Sequence, residues 1–126
     1  MKKIILSILF VFMFVTIGFA GTKTLNFAWN QSITPDFAGW KLYQGDVSGA
    51  TNTLSMTIPY GGTAQTEYTG AKNIVSPDGQ TKTYYFTLTA FDTVGNESAR
   101  SNEVNATIDF EAPGVPTTLR VTVTTP

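Results

Sequence analysis

Apolar side chains beyond residue 20 alternate with polar ones in short runs, and no run keeps a helical period over a useful length. Leu25, Phe27 and Trp29 are spaced by two. So are Trp40 and Leu42; Leu54, Met56 and Ile58; Tyr84, Phe86, Leu88 and Ala90; Val104, Ala106 and Ile108; and Leu119, Val121 and Val123. Successive side chains of an extended strand point to opposite faces, so this spacing buries one face of each strand and wets the other. Turn formers separate the runs: Thr34-Pro35-Asp36, Gly45-Asp46 through Gly49, Tyr60-Gly61-Gly62, Ser76-Pro77-Asp78-Gly79 and Asp92 through Asn96. Short strands punctuated in this way predict an all-β sandwich or barrel. The stretch from Thr66 to Val75 is less regular, and Glu67-Tyr68-Thr69 is read as part of another short strand.

The N-terminus carries a different pattern. Met1-Lys2-Lys3 is a short basic start, and Ile4 to Phe19 is apolar apart from Ser7, Thr16 and Gly18. Gly18 and Ala20 are small residues at the spacing a signal peptidase reads, so residues 1–20 are expected to be a signal peptide cleaved after Ala20. Retention as a membrane anchor is the alternative. The apolar run lies near the lower limit for a bilayer span, about 17 residues, and no basic stop follows it. The expected location is secreted, periplasmic or cell-surface, with no stable membrane span after cleavage.

The chain has no Cys and no His. A domain of this kind must be held by its core, without disulfides. Nucleophile pairs of Ser-His or Cys-His type are excluded, as are zinc sites built from imidazole or thiolate. Six basic residues face nine acidic ones after residue 20, with no basic run, so the electrostatic drive for nucleic acid is missing. The remaining carboxylates, hydroxyls and lysines fall in no catalytic spacing, and no loop has the ligand-rich pattern of a dedicated calcium site. No catalytic residue, cofactor or metal is expected, and Asp36 and Asp92 are assigned to bonding their own turns.

Leu25–Trp29, Pro35–Tyr43 and Tyr84–Ser98 with Ser101–Val104, taken together, resemble a fibronectin type III domain of the form found in secreted bacterial proteins. Leu25-Asn-Phe-Ala-Trp29 is similar to the family's second strand with its buried Trp. Pro35-Asp-Phe-Ala-Gly-Trp-Lys-Leu-Tyr43 is similar to the following turn and third strand. Tyr84 through Ser98, continuing to Ser101-Asn-Glu-Val104, resembles the sixth strand, glycine loop and seventh strand. The resemblance covers most of Leu25 to Ile108 and implies an immunoglobulin-like sandwich of about seven antiparallel strands. Trp29, Trp40 and Tyr84 would be core residues, with Tyr84 at the family's corner-tyrosine position. Tyr85 and Phe91 would face outward as a candidate binding surface, against the plainer reading that they stabilise the sheet as cross-strand aromatics.

The likeness departs from the family at its start, where a strand is missing ahead of Leu25. The C-terminal stretch Ala112-Pro-Gly-Val-Pro-Thr-Thr-Leu-Arg-Val-Thr-Val123 resembles that missing first strand, as if the order were permuted. Residues 21–111 thus form the domain, and residues 112–126 complete it, insert into a neighbouring molecule, or begin a lost second domain. The short loop needed to close it favours self-completion. The functional expectation is a non-catalytic extracytoplasmic module that binds or spaces, with an unidentified protein or glycan as partner. A structural subunit assembling by strand addition is the alternative, so the chain is expected as a monomer or a strand-added polymer.

Overall fold

The computed structural model describes residues 21–76 and 79–126, with the side chain of residue 76 left aside. The expected signal peptide and the Pro77-Asp78 part of a turn lie outside the described residues. Six strands follow one another: β1 (Gly21–Trp29), β2 (Phe37–Gly45), β3 (Thr53–Pro59), β4 (Tyr68–Ser76), β5 (Lys82–Asp92) and β6 (Val104–Ile108). They form two antiparallel sheets, one ordered β1-β4 and the other β3-β2-β5-β6. The expected all-β sandwich is present, with six strands among the described residues against about seven expected. The irregular stretch before Val75 becomes β4, nine residues long and paired along its whole length with β1.

The alternation read from the sequence is what joins the sheets. Leu42, Ile74, Tyr84, Phe86 and Ile108 form the buried cluster, with Leu25, Phe27, Met56, Leu88 and Phe110 packed against it. Phe27 meets Phe86 edge-on at 5.0 Å between ring centroids. At the other end Trp40, 2% exposed, is surrounded by Trp29, Phe37 and Tyr68 at 5.2, 4.9 and 4.7 Å. Aromatic pairs of this kind add about 0.5–1.5 kcal/mol beyond the area they bury. Trp40 and Tyr84 are therefore core residues; Trp29 is half-buried, with an indole N–H that is shielded and finds no partner among the described residues.

Two strand residues that alternation assigns to the inner face are exposed. Leu54 is 49% exposed because the β2–β3 register slips by one residue between Leu42 and Tyr43, pairing Leu42 with Met56 and Tyr43 with Leu54. Such a bulge re-aims every side chain beyond it. Val104 lies directly across from the buried Phe86, so it points inward, yet it is 45% exposed. The cause is the unequal width of the sheets. β1 and β4 cover the inner face of β6 at Ile108, which is buried, but among the described residues nothing covers it at the Val104 end.

The tail does not supply that cover in its own chain. Residues 112–126 carry no strand, and all are exposed, with Leu119 at 97%, Val121 at 90% and Val123 at 84%. Self-completion by residues 112–126, the arrangement favoured from the sequence, is not the one adopted. Short-loop closure is inexpensive, but Phe110 packs against Gly21 and releases the tail at the end of the sandwich where β1 begins.

Candidate functional site

The outer face of the four-stranded sheet carries the densest polar organisation. On β5, Tyr85, Thr87, Thr89 and Phe91 point outward. Their partners across the ladder on β2 are Gly45, Tyr43, Lys41 and Gly39 respectively. Each aromatic thus faces a glycine, which leaves room for a ring to lie across the neighbouring strand. Phe91 does so: a Cβ on Gly39 would stand 3.2 Å from its ring, and the Lys41 ammonium sits 5.4 Å from the ring centroid.

Between the two aromatics lies a bonded cluster. Glu97 accepts hydrogen bonds from Lys41 Nζ at 3.2 Å, Tyr43 Oη at 2.5 Å and Thr89 Oγ1 at 2.6 Å. The Arg100 guanidinium lies 4.1 Å over the Tyr43 ring. It donates to the carbonyl of Thr51 and to the hydroxyls of Thr51 at 3.0 Å and Thr87 at 3.1 Å. Those two hydroxyls also bond each other at 2.8 Å, which accounts for two threonines being buried on the sheet's outer face.

A local irregularity delivers Glu97 and Arg100. The chain from Glu97 to Asn102 runs beside β5 without forming a regular ladder. Ser98 N–H donates to the Ala90 carbonyl while Ala90 N–H donates to the Ser98 hydroxyl, and Ser101 and Leu88 repeat the exchange. From Ala90 to Leu88 is two residues, whereas from Ser98 to Ser101 is three, so the segment bulges by one. The extra residue throws Arg100 over the outer face.

The electrostatics follow from the bonds. Glu97 is held at about 2, well below its ordinary 4.5, first by the Thr89 hydroxyl, then by Tyr43 and Lys41, with desolvation opposing them. The Tyr43 phenol is raised, chiefly because it donates to Glu97. Asp92 is lowered, first by the Asn96 side-chain amide and then by backbone N–H groups of its turn. Its carboxylate bonds Val94 N–H, Asn96 N–H and the Asn96 amide, the turn-bonding role expected of it. Asp36 accepts instead from the Thr34 hydroxyl at 3.0 Å.

Chemically, the cluster is a set of donors and acceptors already matched to each other. A carboxylate ionised far below neutral pH does not carry protons at pH 7. No group of three His, Cys, Asp or Glu stands ready for a metal among the described residues, and no helix there is long and apolar enough to cross a membrane.

Of the residues singled out from the sequence, Trp40 and Tyr84 sit in the core and Trp29 at its margin. Tyr85 and Phe91 occupy opposite ends of the outer face, half-buried and about 20 Å apart at 3.3 Å per residue. Between them lie Lys41, Tyr43, Glu97 and Arg100, which the sequence did not mark as one cluster. Lys41 and Tyr43 were legible as outward by alternation; Glu97 and Arg100 depend on the bulge, which no periodicity marks. Comparison with family models, curated proteins and solved structures finds no match for the chain.

Proposed function

We propose that the chain is an exported, non-catalytic β-sandwich module that binds or spaces, and that the particular sandwich is of the fibronectin type III kind. Three neighbour relations support the second point. The pairing β1-β4 and the run β2-β5-β6 correspond to the second-with-fifth and third-sixth-seventh neighbours of a seven-strand immunoglobulin-like sandwich. β3 extends the second sheet beyond β2, as an added strand does in the larger variants of that fold.

The observation that carries the functional reading is the satisfied state of Glu97. Its three donors and the Arg100–Tyr43 stack make the outer face a fixed platform, with Tyr85 and Phe91 offering aromatic surface at its two ends. Rigid aromatics framed by polar groups suit contact with a protein or with the apolar faces of a glycan. The Lys41–Glu97 and Lys82–Asp46 pairs leave little free positive charge on this sheet, which argues against nucleic acid.

The test is a binding panel of extracellular glycans and surface proteins against the exported protein and its Y85A and F91A variants. The reading expects saturable binding to one member of the panel, weakened about tenfold or more by at least one substitution, since aromatic anchors of an interface cost over 1 kcal/mol when truncated. Turnover of a glycan or peptide, or affinity untouched by both substitutions, overturns it.

A further inference from the structure

We propose that the cleft beside the free edge of β1 is an acceptor groove, and that its occupant is the segment Leu119–Val123 of a second copy of this chain. The groove lies between the two sheets on their β1/β6 side. Phe27 and Trp29 of β1, Phe86 and Leu88 of β5 and Val104 of β6 line it, and its volume is about 120 Å³. It runs beside a strand edge that is open. β1 pairs through all nine residues with β4 on one side, and among the described residues nothing pairs with its other side. A strand laid along that side would satisfy the row of open backbone groups and roof the Val104 end of β6. Val104, pointing inward and 45% exposed, marks the uncovered place.

The tail has the form that the groove requires. Leu119, Val121 and Val123 fall on one face of an extended segment and Arg120 and Thr122 on the other, so a single strand can present three apolar side chains inward and polar ones outward. Five residues span about 17 Å at 3.3 Å each, close to the length of Leu25–Trp29. None of the three apolar side chains finds cover among the described residues of its own chain. Each is a residue type whose burial contributes about 1.5–3 kcal/mol.

Direction selects the second copy over the parent chain. Phe110 is seated on Gly21, so the tail departs at the end where β1 begins. Running directly along β1 it would add parallel, whereas every strand pair among the described residues is antiparallel. Pro113 and Pro116 stiffen the intervening stretch into an extended spacer that carries the strand away from its own body. A tail from another copy meets β1 in either direction without a reversal. The contact joins two different surfaces, so it propagates head to tail, closing into a ring or continuing as a chain.

The test does not depend on what the module binds. The full chain is expressed with residues 1–20 in place, so that any processing is the cell's own. Because the chain has no cysteine, single introduced thiols report unambiguously. N26C and T122C variants are mixed and treated with a short bis-maleimide, and the double variant is treated at high dilution. The expected result is a mixed cross-linked dimer and, by light scattering on a sizing column, a concentration-dependent ladder. L119D and V121D should leave the circular-dichroism spectrum unchanged and weaken association at least tenfold. An intrachain cross-link in the diluted double variant, or a monomer at every concentration with no mixed cross-link, overturns the proposal.

Discussion

Trp29 stands edge-on to Trp40, with ring centroids 5.2 Å apart and planes inclined at 71°. This contact ties the two-stranded sheet to the four-stranded one at the end remote from Gly21. Trp40 is the more enclosed ring, also meeting Phe37 and Tyr68. W40A should therefore cost about 3–5 kcal/mol, a large share of the roughly 5–15 kcal/mol that holds a domain folded. W29F should be far milder, because it keeps an aromatic and removes an indole N–H that has no partner among the described residues. Urea unfolding followed by far-ultraviolet circular dichroism measures both. A W29F loss as large as that of W40A would contradict this account of the pair.

The core of this fold was legible in the sequence because burial on one sheet face writes itself as a period of two. Trp40, Leu42, Tyr84, Phe86 and Ile108 were readable on that rule alone. Leu54 was not, since the slip between Leu42 and Tyr43 depends on how two strands meet and leaves no trace in either. Val104 obeyed the rule and still lies half exposed, because periodicity reports which way a residue points and not whether anything covers it. The outer cluster was hidden for a related reason: Glu97 and Arg100 reach it only through the extra residue between Ser98 and Ser101.

Gly39 is a further position where geometry admits one residue type. Its φ is +156°, and a Cβ there would stand 2.3 Å from the Ile58 carbonyl oxygen. That oxygen belongs to the backbone of β3, so it cannot rotate away. G39A should destabilise the protein by about 2 kcal/mol or more, in the range of strained backbone and overpacking. Nothing lies within 4 Å of a Cβ built on Gly61, which makes G61A the matched control. Its expected effect is within about 1 kcal/mol of zero, from the reduced freedom of the unfolded chain. Thermal unfolding of the two variants side by side decides the matter.

Glu97 sets an acid limit on stability. Folding lowers it from 4.5 to about 2, so the folded state holds its charge more firmly than the unfolded chain does. The resulting stabilisation is complete above 4.5 and fades as the pH falls from there towards 2. Asp92, also lowered, acts in the same direction. E97Q should flatten the acid dependence of the urea midpoint and leave the residual slope due to Asp92. The Tyr43 phenol, raised above 10.0, has the opposite sense: its contribution is present below 10.0 and is lost as the pH climbs through the raised value. An acid slope identical in wild type and E97Q would remove Glu97 from this role.

Ser98 and Ser101 stand in for backbone along the upper half of β5. The regular β5–β6 ladder ends at Phe86 and Val104, yet Leu88 and Ala90 still present N–H groups on that side. The two hydroxyls accept from them at 2.9 Å each and in turn donate to the carbonyls of Ala99 and Asn102 at 2.8 and 2.9 Å. Each serine thus closes a turn while completing the sheet. A hydrogen bond of this kind contributes about 0.5–1.5 kcal/mol net. S98A and S101A should each cost about 1 kcal/mol. The two sites share the bulge that holds Arg100, so the double variant should depart from additivity, as coupled neighbours do. Losing the bulge also frees Arg100 from Thr51 and Thr87, which hydrogen exchange at the Leu88 and Ala90 amides would register as faster opening. Wild-type exchange rates in the double variant would show that the serines are incidental to the sheet.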